Sequence, residues 1–197
     1  DQIRAQINLP NSGNYYMLSQ QGNHAVDKDG TLLWHETVSA QQEQAVRAFA
    51  DALTSDLALP VKDKTDLFEN RGSQLAYSTL GFRESNEKKY AYDPDQAKRQ
   101  GLLARHAGEL KKLRDIGIEA MPAGTTTIDF ILAGKNKGHN IARLMEDRGW
   151  KKEECLYIGD ALFPGGNDES VIGVIPTHAV KYPSETFDFL RRELLSS

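Results

Sequence analysis

The chain has 197 residues, of which 39% are hydrophobic and 26% charged, and its 28 acidic and 24 basic residues give a formal net charge of −4. These fractions are typical of one large or two small globular domains and exclude collagen-like, coiled-coil and disordered proteins. The acidic balance argues against nucleic acid as a partner, and no apolar run reaches the ~18 residues of a membrane-spanning helix. The single cysteine, Cys155, excludes an intrachain disulfide and a cysteine-cluster zinc site and favours a reducing, cytoplasmic compartment.

The first part of the sequence predicts short strands and then an amphipathic helix. An apolar run covers residues 15–19, and the Asp-Gly pair at 29–30 predicts the tight turn of a hairpin between two further strands. Ser39 and Gln42 have the spacing of a capping box, which predicts the start of a helix. Apolar residues then recur at helical spacing, namely Val46, Phe49, Ala50 and Leu53.

The middle of the sequence has a different pattern of predicted strands and helices. Residues 66–71 and 74–80 flank Gly72 and predict a β-hairpin, and a long helix that ends at Gly117 follows. One face of that helix is formed by Leu103, His106, Leu110 and Leu113. Paired strands with helices between them indicate an α+β subdomain over residues 36–125.

The last seventy or so residues alternate strand and helix. An apolar strand at 126–132 precedes a helix at 138–148, and a buried-type strand at 155–160 precedes a short strand and a terminal helix capped by Ser184. This order predicts a parallel α/β sheet with right-handed crossovers, into which the α+β subdomain is inserted.

The segment CLYIGDALFPGGND, residues 155–168, contains the clearest candidate chemistry. Asp160 directly follows an apolar strand, and ligands of open parallel sheets bind beyond the carboxyl ends of the strands. Asp168 follows a Pro-Gly-Gly loop that can fold back, so that both carboxylates face one spot. Two carboxylates that converge with substrate phosphate oxygens suit Mg²⁺. The alternative is an ordinary loop, because Asp, Asn and Gly dominate turns for structural reasons.

Two further segments, GKNKG at 134–138 and GTTTID at 124–129, hold candidate substrate ligands. Lys135 or Lys137, at the end of a strand and the start of a helix, can neutralise a phosphate and a nearby carboxylate nucleophile as a point charge. The hydroxyls and carboxylate of GTTTID can bind sugar hydroxyls or phosphate. Surface lysines and threonine-rich strands are common, so each segment alone also has a structural interpretation.

In this order and at these separations, GTTTID, GKNKG and GDALFPGGND resemble the haloacid dehalogenase-like phosphotransferases. Within them the sequence is most similar to the eukaryotic-type phosphomannomutases and their small bacterial relatives. Further matches, at residues 19–36, 69–81 and 92–99, extend the resemblance over nearly the whole chain.

The resemblance implies a Rossmann-like α/β core, residues 1–35 and 126–197, with an inserted α+β cap over 36–125. It also implies a Mg²⁺-dependent reaction on a hexose phosphate, in which an aspartate of a DxDxT motif forms a phospho-aspartate. A sugar phosphate would be the small-molecule partner, with no role for nucleic acid or membrane, and a homodimer is left open.

The resemblance assigns roles to individual residues. Lys137 fits the pattern G-x-[DN]-K and takes the role of the catalytic lysine, and Asp160 and Asp168 match the acidic metal-binding motif. Five residues match positions that contact substrate: Arg71, Arg83, Thr127, Asp129 and Asn167.

The literal DxDxT of this chain, residues 27–31, is predicted to be a turn rather than the nucleophile motif. Residues 20–26 ahead of it are largely polar, whereas the family's nucleophile ends a buried strand, and Asp-Gly is a strong hairpin signal. We therefore expect the nucleophile to lie on an N-terminal segment that precedes these residues, with residues 1–9 continuing a helix. The segment is omitted, removed by proteolysis, or lost in a natural relative.

The sequence therefore predicts a Mg²⁺-dependent phosphosugar phosphotransferase whose nucleophile is outside the 197 residues. A sugar-phosphate phosphatase of the same superfamily is one alternative. A non-catalytic module that binds sugar phosphate is the other.

Overall fold

The computed structural model describes residues 15–60 and 63–194 and consists of two compact units, divided between Asn136 and Lys137. The helix expected over residues 1–9 lies outside the described residues. Within the described ranges, no helix combines the length and the apolar character needed to cross a membrane.

In the described part of the first unit, a three-stranded antiparallel meander comes first. Its strands are β1 (Tyr16–Ser19), β2 (His24–Asp27) and β3 (Leu32–His35), in that order in the sheet. The predicted apolar strand and the two strands around the Asp-Gly pair are thus confirmed.

The DxDxT sequence forms the turn between β2 and β3. The Asp27 carboxylate accepts hydrogen bonds from the backbone amides of Asp29 (2.9 Å) and Thr31 (2.8 Å), and Gly30 has the positive φ, 83°, that the turn requires. The amide of Thr31 also holds the pKa of Asp27 below its usual value. The prediction of a hairpin turn is confirmed, because this carboxylate stabilises its own turn.

The helix α1 (Ala40–Leu57) follows with the predicted capping box. The Ser39 hydroxyl accepts from the Gln42 amide, and the Gln42 side chain accepts from the Ser39 amide. The predicted apolar face is buried, with Val46, Phe49, Ala50 and Leu53 all below 6% exposure.

A four-stranded antiparallel sheet forms the centre of the first unit. Its strands are β4 (Phe68–Asn70), β5 (Gln74–Ser78), β6 (Ile118–Ala123) and β7 (Thr127–Leu132), and their order across the sheet is β4-β5-β7-β6. The predicted hairpin around Gly72, whose φ is 93°, corresponds to β4 and β5.

The helices α2 (Asn86–Tyr92), α3 (Ala97–Arg105) and α4 (Ala107–Asp115) lie between β5 and β6 in sequence. The sequence predicted α3 and α4 as one long helix, but the backbone leaves the helical conformation at His106, which hydrogen-bonds to Asp56 (3.1 Å). The predicted end of the second helix at Gly117 is confirmed by its φ of 80°. The main core lies between helices and sheet and includes Phe49, Leu53, Leu75, Tyr77, Leu102, Leu113, Ile128 and Phe130.

Strand β7 corrects the predicted domain boundary. The apolar run at 126–132 was assigned to the parallel core sheet, but β7 pairs antiparallel with both β5 and β6. A tight turn at 124–126 folds β7 back onto β6, and periodicity alone does not distinguish such a strand from one in a parallel sheet. The predicted boundary before residue 126 therefore falls inside one continuous sheet.

A buried ion pair fixes the turn between β6 and β7. Arg99 and Asp93 are both 1% exposed, and the Arg99 Nε donates to Asp93 Oδ2 over 2.7 Å. The Arg99 Nη1 donates to the carbonyl oxygens of Ala123 (2.6 Å) and Thr127 (2.9 Å). Burial opposes ionisation of Asp93, but its hydrogen bonds with Arg99 and with nearby amides outweigh burial and lower its pKa.

The described part of the second unit contains two α-helices, two short 3-10 helices and a short parallel sheet. The α-helices and strands are α5 (Lys137–Arg148), β8 (Tyr157–Gly159), β9 (Thr177–Ala179) and α6 (Pro183–Leu194), and β8 pairs parallel with β9. The predicted parallel strands and the helix before Gly149 are confirmed. The last helix starts one residue before the predicted cap Ser184, because proline suits the first helical position.

Replacing Arg99 by methionine tests the buried ion pair. We expect Arg99→Met to lower the free energy of unfolding by about 3–5 kcal/mol, because it leaves the Asp93 carboxylate buried and unpaired. Urea unfolding followed by circular dichroism measures the change. The control, Arg105→Met, removes an exposed arginine bound to Asp56 and should leave the midpoint nearly unchanged. Equal effects of the two substitutions would contradict the assigned role of Arg99.

Candidate active site

The carboxyl end of β8 carries the first predicted metal ligand. The strand ends at Gly159, and Asp160 comes next with an exposed side chain. Within the described ranges, no group donates a hydrogen bond to the Asp160 carboxylate. An open carboxylate at this place is free to bind a cation from solution.

The loop after β8 folds back as predicted. The Asp168 amide donates to the Ala161 carbonyl (3.3 Å), and the Ala161 amide donates to Asp168 Oδ2 (3.1 Å). The turn at the Pro-Gly-Gly sequence is closed by a hydrogen bond from the Gly166 amide to the Phe163 carbonyl (2.8 Å). The side chain of Asp168 is thereby returned to the end of β8.

Asp168 is a buried carboxylate, 1% exposed, with donors on both oxygens. Lys137 Nζ and the Tyr157 hydroxyl (2.8 Å) both donate to Oδ1, while Ala161 occupies Oδ2. Burial alone would raise the pKa of Asp168, but the hydrogen bonds from Lys137 and Tyr157 outweigh it and hold the pKa below its usual value. Asp168 is therefore ionised at neutral pH and forms an ion pair with Lys137.

Lys137, the predicted catalytic lysine, is the first residue of α5. Its ammonium also reaches Asn167 Oδ1 at 3.4 Å, so the structure brings Lys137, Asn167 and Asp168 together. The start of the helix is anchored by a hydrogen bond from the Gly138 amide to Ser170 Oγ (3.1 Å). The Lys137 side chain remains 26% exposed, so it is only partly covered by the cluster.

Tyr157 is a member of this cluster that sequence analysis missed. Burial, together with the neighbouring charge of Asp168, raises the pKa of Tyr157 well above its usual value, so the phenol keeps its proton and donates. A tyrosine in an apolar strand is what β propensity favours, and nothing in the sequence marks its hydroxyl as bound to a residue eleven positions later.

Gly159 provides the space in which this cluster forms. A Cβ atom at position 159 would lie 2.5 Å from Asp168 Oδ2 and 2.6 Å from Tyr157 Cε1. Gly159 is therefore needed for the close approach of the Asp168 carboxylate to the strand. The requirement is for space and not for backbone conformation, because the φ angle of Gly159 is not positive.

The contacts of Asp160 and Asp168 differ in what they offer a metal ion. The prediction assigned both carboxylates to Mg²⁺, but the oxygens of Asp168 already accept three hydrogen bonds. No group of three or more His, Cys, Asp or Glu side chains suited to a metal occurs in the described ranges. Mg²⁺ needs few protein carboxylates because it keeps several waters, so the open carboxylate of Asp160 fits it.

Two predicted substrate residues of the first unit lie on one face of β7. Thr127 pairs across the sheet with Ser78 and Asp129 with Ala76, and residues two apart on a strand face the same side. Thr127 is half-buried and Asp129 is buried. Ser78, a neighbour that sequence analysis did not single out, holds the Gly81 amide through its hydroxyl (3.1 Å).

The two predicted arginine ligands, Arg71 and Arg83, are paired with acidic residues. The Arg71 guanidinium binds Glu69 (2.7 Å) and lies 5.7 Å from the centre of the Phe82 ring. Arg83 binds Asp63 (2.9 Å) and Asp66 (2.8 Å), and it is 72% exposed. Its two carboxylate partners give Arg83 a structural role, and a phosphate would have to compete with them.

The fold of the chain is similar to the folds of two solved structures, a nucleotidase and a haloacid dehalogenase-like hydrolase. A mutant of the IMP-nucleotidase of Plasmodium falciparum with IMP bound superposes with a TM-score of 0.60 at 17% identity, over 89% of this chain and 47% of the nucleotidase. A haloacid dehalogenase-like hydrolase from B. subtilis gives 0.55 at 12% identity, over 92% of this chain and 80% of the hydrolase.

The chain thus spans about half the length of the nucleotidase, which is 47% covered. Neither a protein-family model nor a curated protein matches the sequence. At these identities the likeness concerns the fold, which is the Rossmann-type α/β fold of haloacid dehalogenase-like phosphatases with cap domains, as the resemblance implied.

Substituting Gly159 tests the packing around Asp168. We expect Gly159→Ala to lower the free energy of unfolding by about 1–3 kcal/mol, because the added methyl group overlaps Asp168 and Tyr157. Gly108→Ala is the matched control: it adds the same methyl group in α4, where nothing lies within 4 Å, and should stabilise by up to about 1 kcal/mol. Urea unfolding of both variants measures the difference, and a stable Gly159→Ala would show that the carboxylate does not need this space.

Proposed function

We propose that this chain is the phosphate-binding part of a Mg²⁺-dependent phosphotransferase of the haloacid dehalogenase-like fold, with sugar phosphates as the substrate class. The observation that carries the proposal is the Lys137 ammonium held on the buried, ionised carboxylate of Asp168 at the start of α5. An ammonium that a buried carboxylate holds at a helix start can neutralise a phosphoryl group with little reorganisation during the reaction.

Asp160 would hold the magnesium ion, and Asp168 would act through Lys137. A bound Mg²⁺ supplies positive charge to the phosphoryl oxygens. Asn167, whose Oδ1 lies 3.4 Å from Lys137 Nζ, would orient either the ammonium or a phosphate oxygen with its amide. This division assigns one carboxylate to the cation and the other to the lysine.

The attacking group is proposed to come from outside the described residues. The one DxDxT sequence in those ranges has its first carboxylate bound to the amides of its own hairpin turn. If the phosphoryl group then passes to a sugar hydroxyl the enzyme is a mutase, and if it passes to water the enzyme is a phosphatase.

Thr127 and Asp129, on one face of β7, are proposed to bind sugar hydroxyls, and Arg71 to bind phosphate. Their side chains have the chemistry that a sugar phosphate requires, namely a hydroxyl, a carboxylate and a guanidinium. The turn that precedes Thr127 is fixed by Arg99, so that the residue has a defined position before any ligand arrives.

Binding of sugar phosphate with and without Mg²⁺ tests the proposal. We expect isothermal titration of hexose phosphates to show binding that EDTA weakens, and Lys137→Ala to weaken it about tenfold or more, as loss of a charge-assisted hydrogen bond does. Asp160→Asn should weaken the dependence on Mg²⁺.

Lys135→Ala serves as the control, because Lys135 lies two residues away and its place between a predicted strand and a predicted helix makes it an equal candidate by position. The affinity of this variant for hexose phosphate should match that of the wild type. Undiminished binding by Lys137→Ala would contradict the proposal. Tighter binding of inosine monophosphate than of any hexose phosphate would show that sugar phosphates are the wrong substrate class. The proposal of a phosphate site at Lys137 would still stand.

A further inference from the structure

The Asp168 carboxylate is oriented by two rigid donors. The first is the Ala161 amide on Oδ2, which belongs to the backbone of the folded-back loop. The second is the Tyr157 hydroxyl on Oδ1, at 2.8 Å. The backbone of Tyr157 is itself fixed, because its amide donates to the Pro176 carbonyl (2.9 Å) and the residue pairs with Thr177 of β9.

Lys137 is the flexible member of the cluster. A lysine side chain rotates about four bonds, so its ammonium can move with its partner or turn to solvent. The position of a tyrosine ring is set by only two torsion angles. One donor on each oxygen of Asp168 fixes the plane of the carboxylate. Oδ1 then has one lone pair left, which points in a fixed direction. The Lys137 ammonium donates its hydrogen bond to that lone pair.

We propose that Tyr157 is a positioning residue whose hydroxyl, bound to Asp168 Oδ1, fixes the direction in which Asp168 holds the Lys137 ammonium. This inference rests on the proposed function in one respect, namely that the ligand of the Lys137 ammonium is a phosphate. Without the hydroxyl, the Ala161 amide is the one rigid donor left on the carboxylate, which can then rotate together with the Lys137 ammonium.

The spacing along β8 supports this role. Tyr157 and Gly159 are two residues apart on the strand and face the same side, so the absent side chain of Gly159 opens the place where hydroxyl and carboxylate meet. A Cβ atom at Gly159 would lie 2.6 Å from Tyr157 Cε1. Strand β8 thus provides the Tyr157 hydroxyl as a donor to the Asp168 carboxylate, and Gly159 leaves the space that this carboxylate needs.

Tyr157→Phe removes the hydroxyl and keeps the ring, and nitrogen-15 NMR of lysine ammonium groups reads out the result. In the wild-type chain we expect a Lys137 ammonium signal protected from exchange with water, identified by its loss in Lys137→Arg. In Tyr157→Phe its exchange rate should rise about tenfold or the signal should vanish, as expected for loss of a hydrogen bond to a charged group.

Tyr182→Phe is the matched control, because Tyr182 is 65% exposed in the same unit, and it should leave the Lys137 signal unchanged. An unchanged signal in Tyr157→Phe, or no protected Lys137 signal in the wild type, would overturn the inference. If Tyr157→Phe does not fold, a nuclear Overhauser contact between the Tyr157 hydroxyl proton and the Lys137 ammonium in the wild type decides, and its absence would also overturn it.

Affinity for inorganic phosphate separates this inference from the proposed function. If both hold, Lys137→Ala and Tyr157→Phe each weaken phosphate binding, and Tyr157→Phe does so less. If Lys137→Ala has no effect on phosphate while Tyr157→Phe still frees the ammonium, the proposed function fails and the positioning role stands. If Lys137→Ala weakens phosphate binding and Tyr157→Phe leaves both affinity and exchange unchanged, only the positioning role fails.

Discussion

A single buried charge, the carboxylate of Asp168, organises the second unit. A carboxylate that is 1% exposed is stable only if donors replace the water it has lost. Here the donors come from three separate segments: the start of α5, strand β8 and the loop that follows it. The requirement to satisfy this one group therefore fixes the position of a helix, a strand and a loop relative to each other.

The same physical principle operates in the first unit, with a different purpose. The buried Asp93 and Arg99 satisfy each other and the carbonyls of the turn between β6 and β7, so that the ion pair is used for structure. In the Asp168 cluster the side chain of the cation, Lys137, is 26% exposed. The two buried carboxylates thus differ in their cations, since Arg99 is buried and Lys137 is partly exposed.

Sequence analysis succeeded where the determinants are local. The capping box of Ser39 and Gln42, the Asp-Gly turn and the glycine end of α4 each depend on residues within a few positions, and all three were predicted. The resemblance to haloacid dehalogenase-like proteins gave the fold. The roles that it assigns to Lys137, Asn167 and Asp168 stay predictions, although these three side chains lie together in the structure.

It failed where the determinants are distant in sequence. Strand β7 looks the same as a core strand until its partners β5 and β6 are known. The helix breaks at His106, whose side chain contacts Asp56, fifty residues earlier. Tyr157 could not be recognised either, because its contact with Asp168 exists only once the intervening loop has folded back. Likewise, the burial of Arg99 is not visible in a polar stretch of sequence.

The central claim, that Lys137 and Asp168 act as one coupled pair, is tested most directly by a double-mutant cycle. The free energies of unfolding of wild type, Lys137→Met, Asp168→Asn and the double variant are measured in metal-free buffer. We predict a coupling energy of about 1–3 kcal/mol, because each single substitution deprives the other residue of its partner. Additive effects, equal to the sum of the single changes within about 0.5 kcal/mol, would contradict the account.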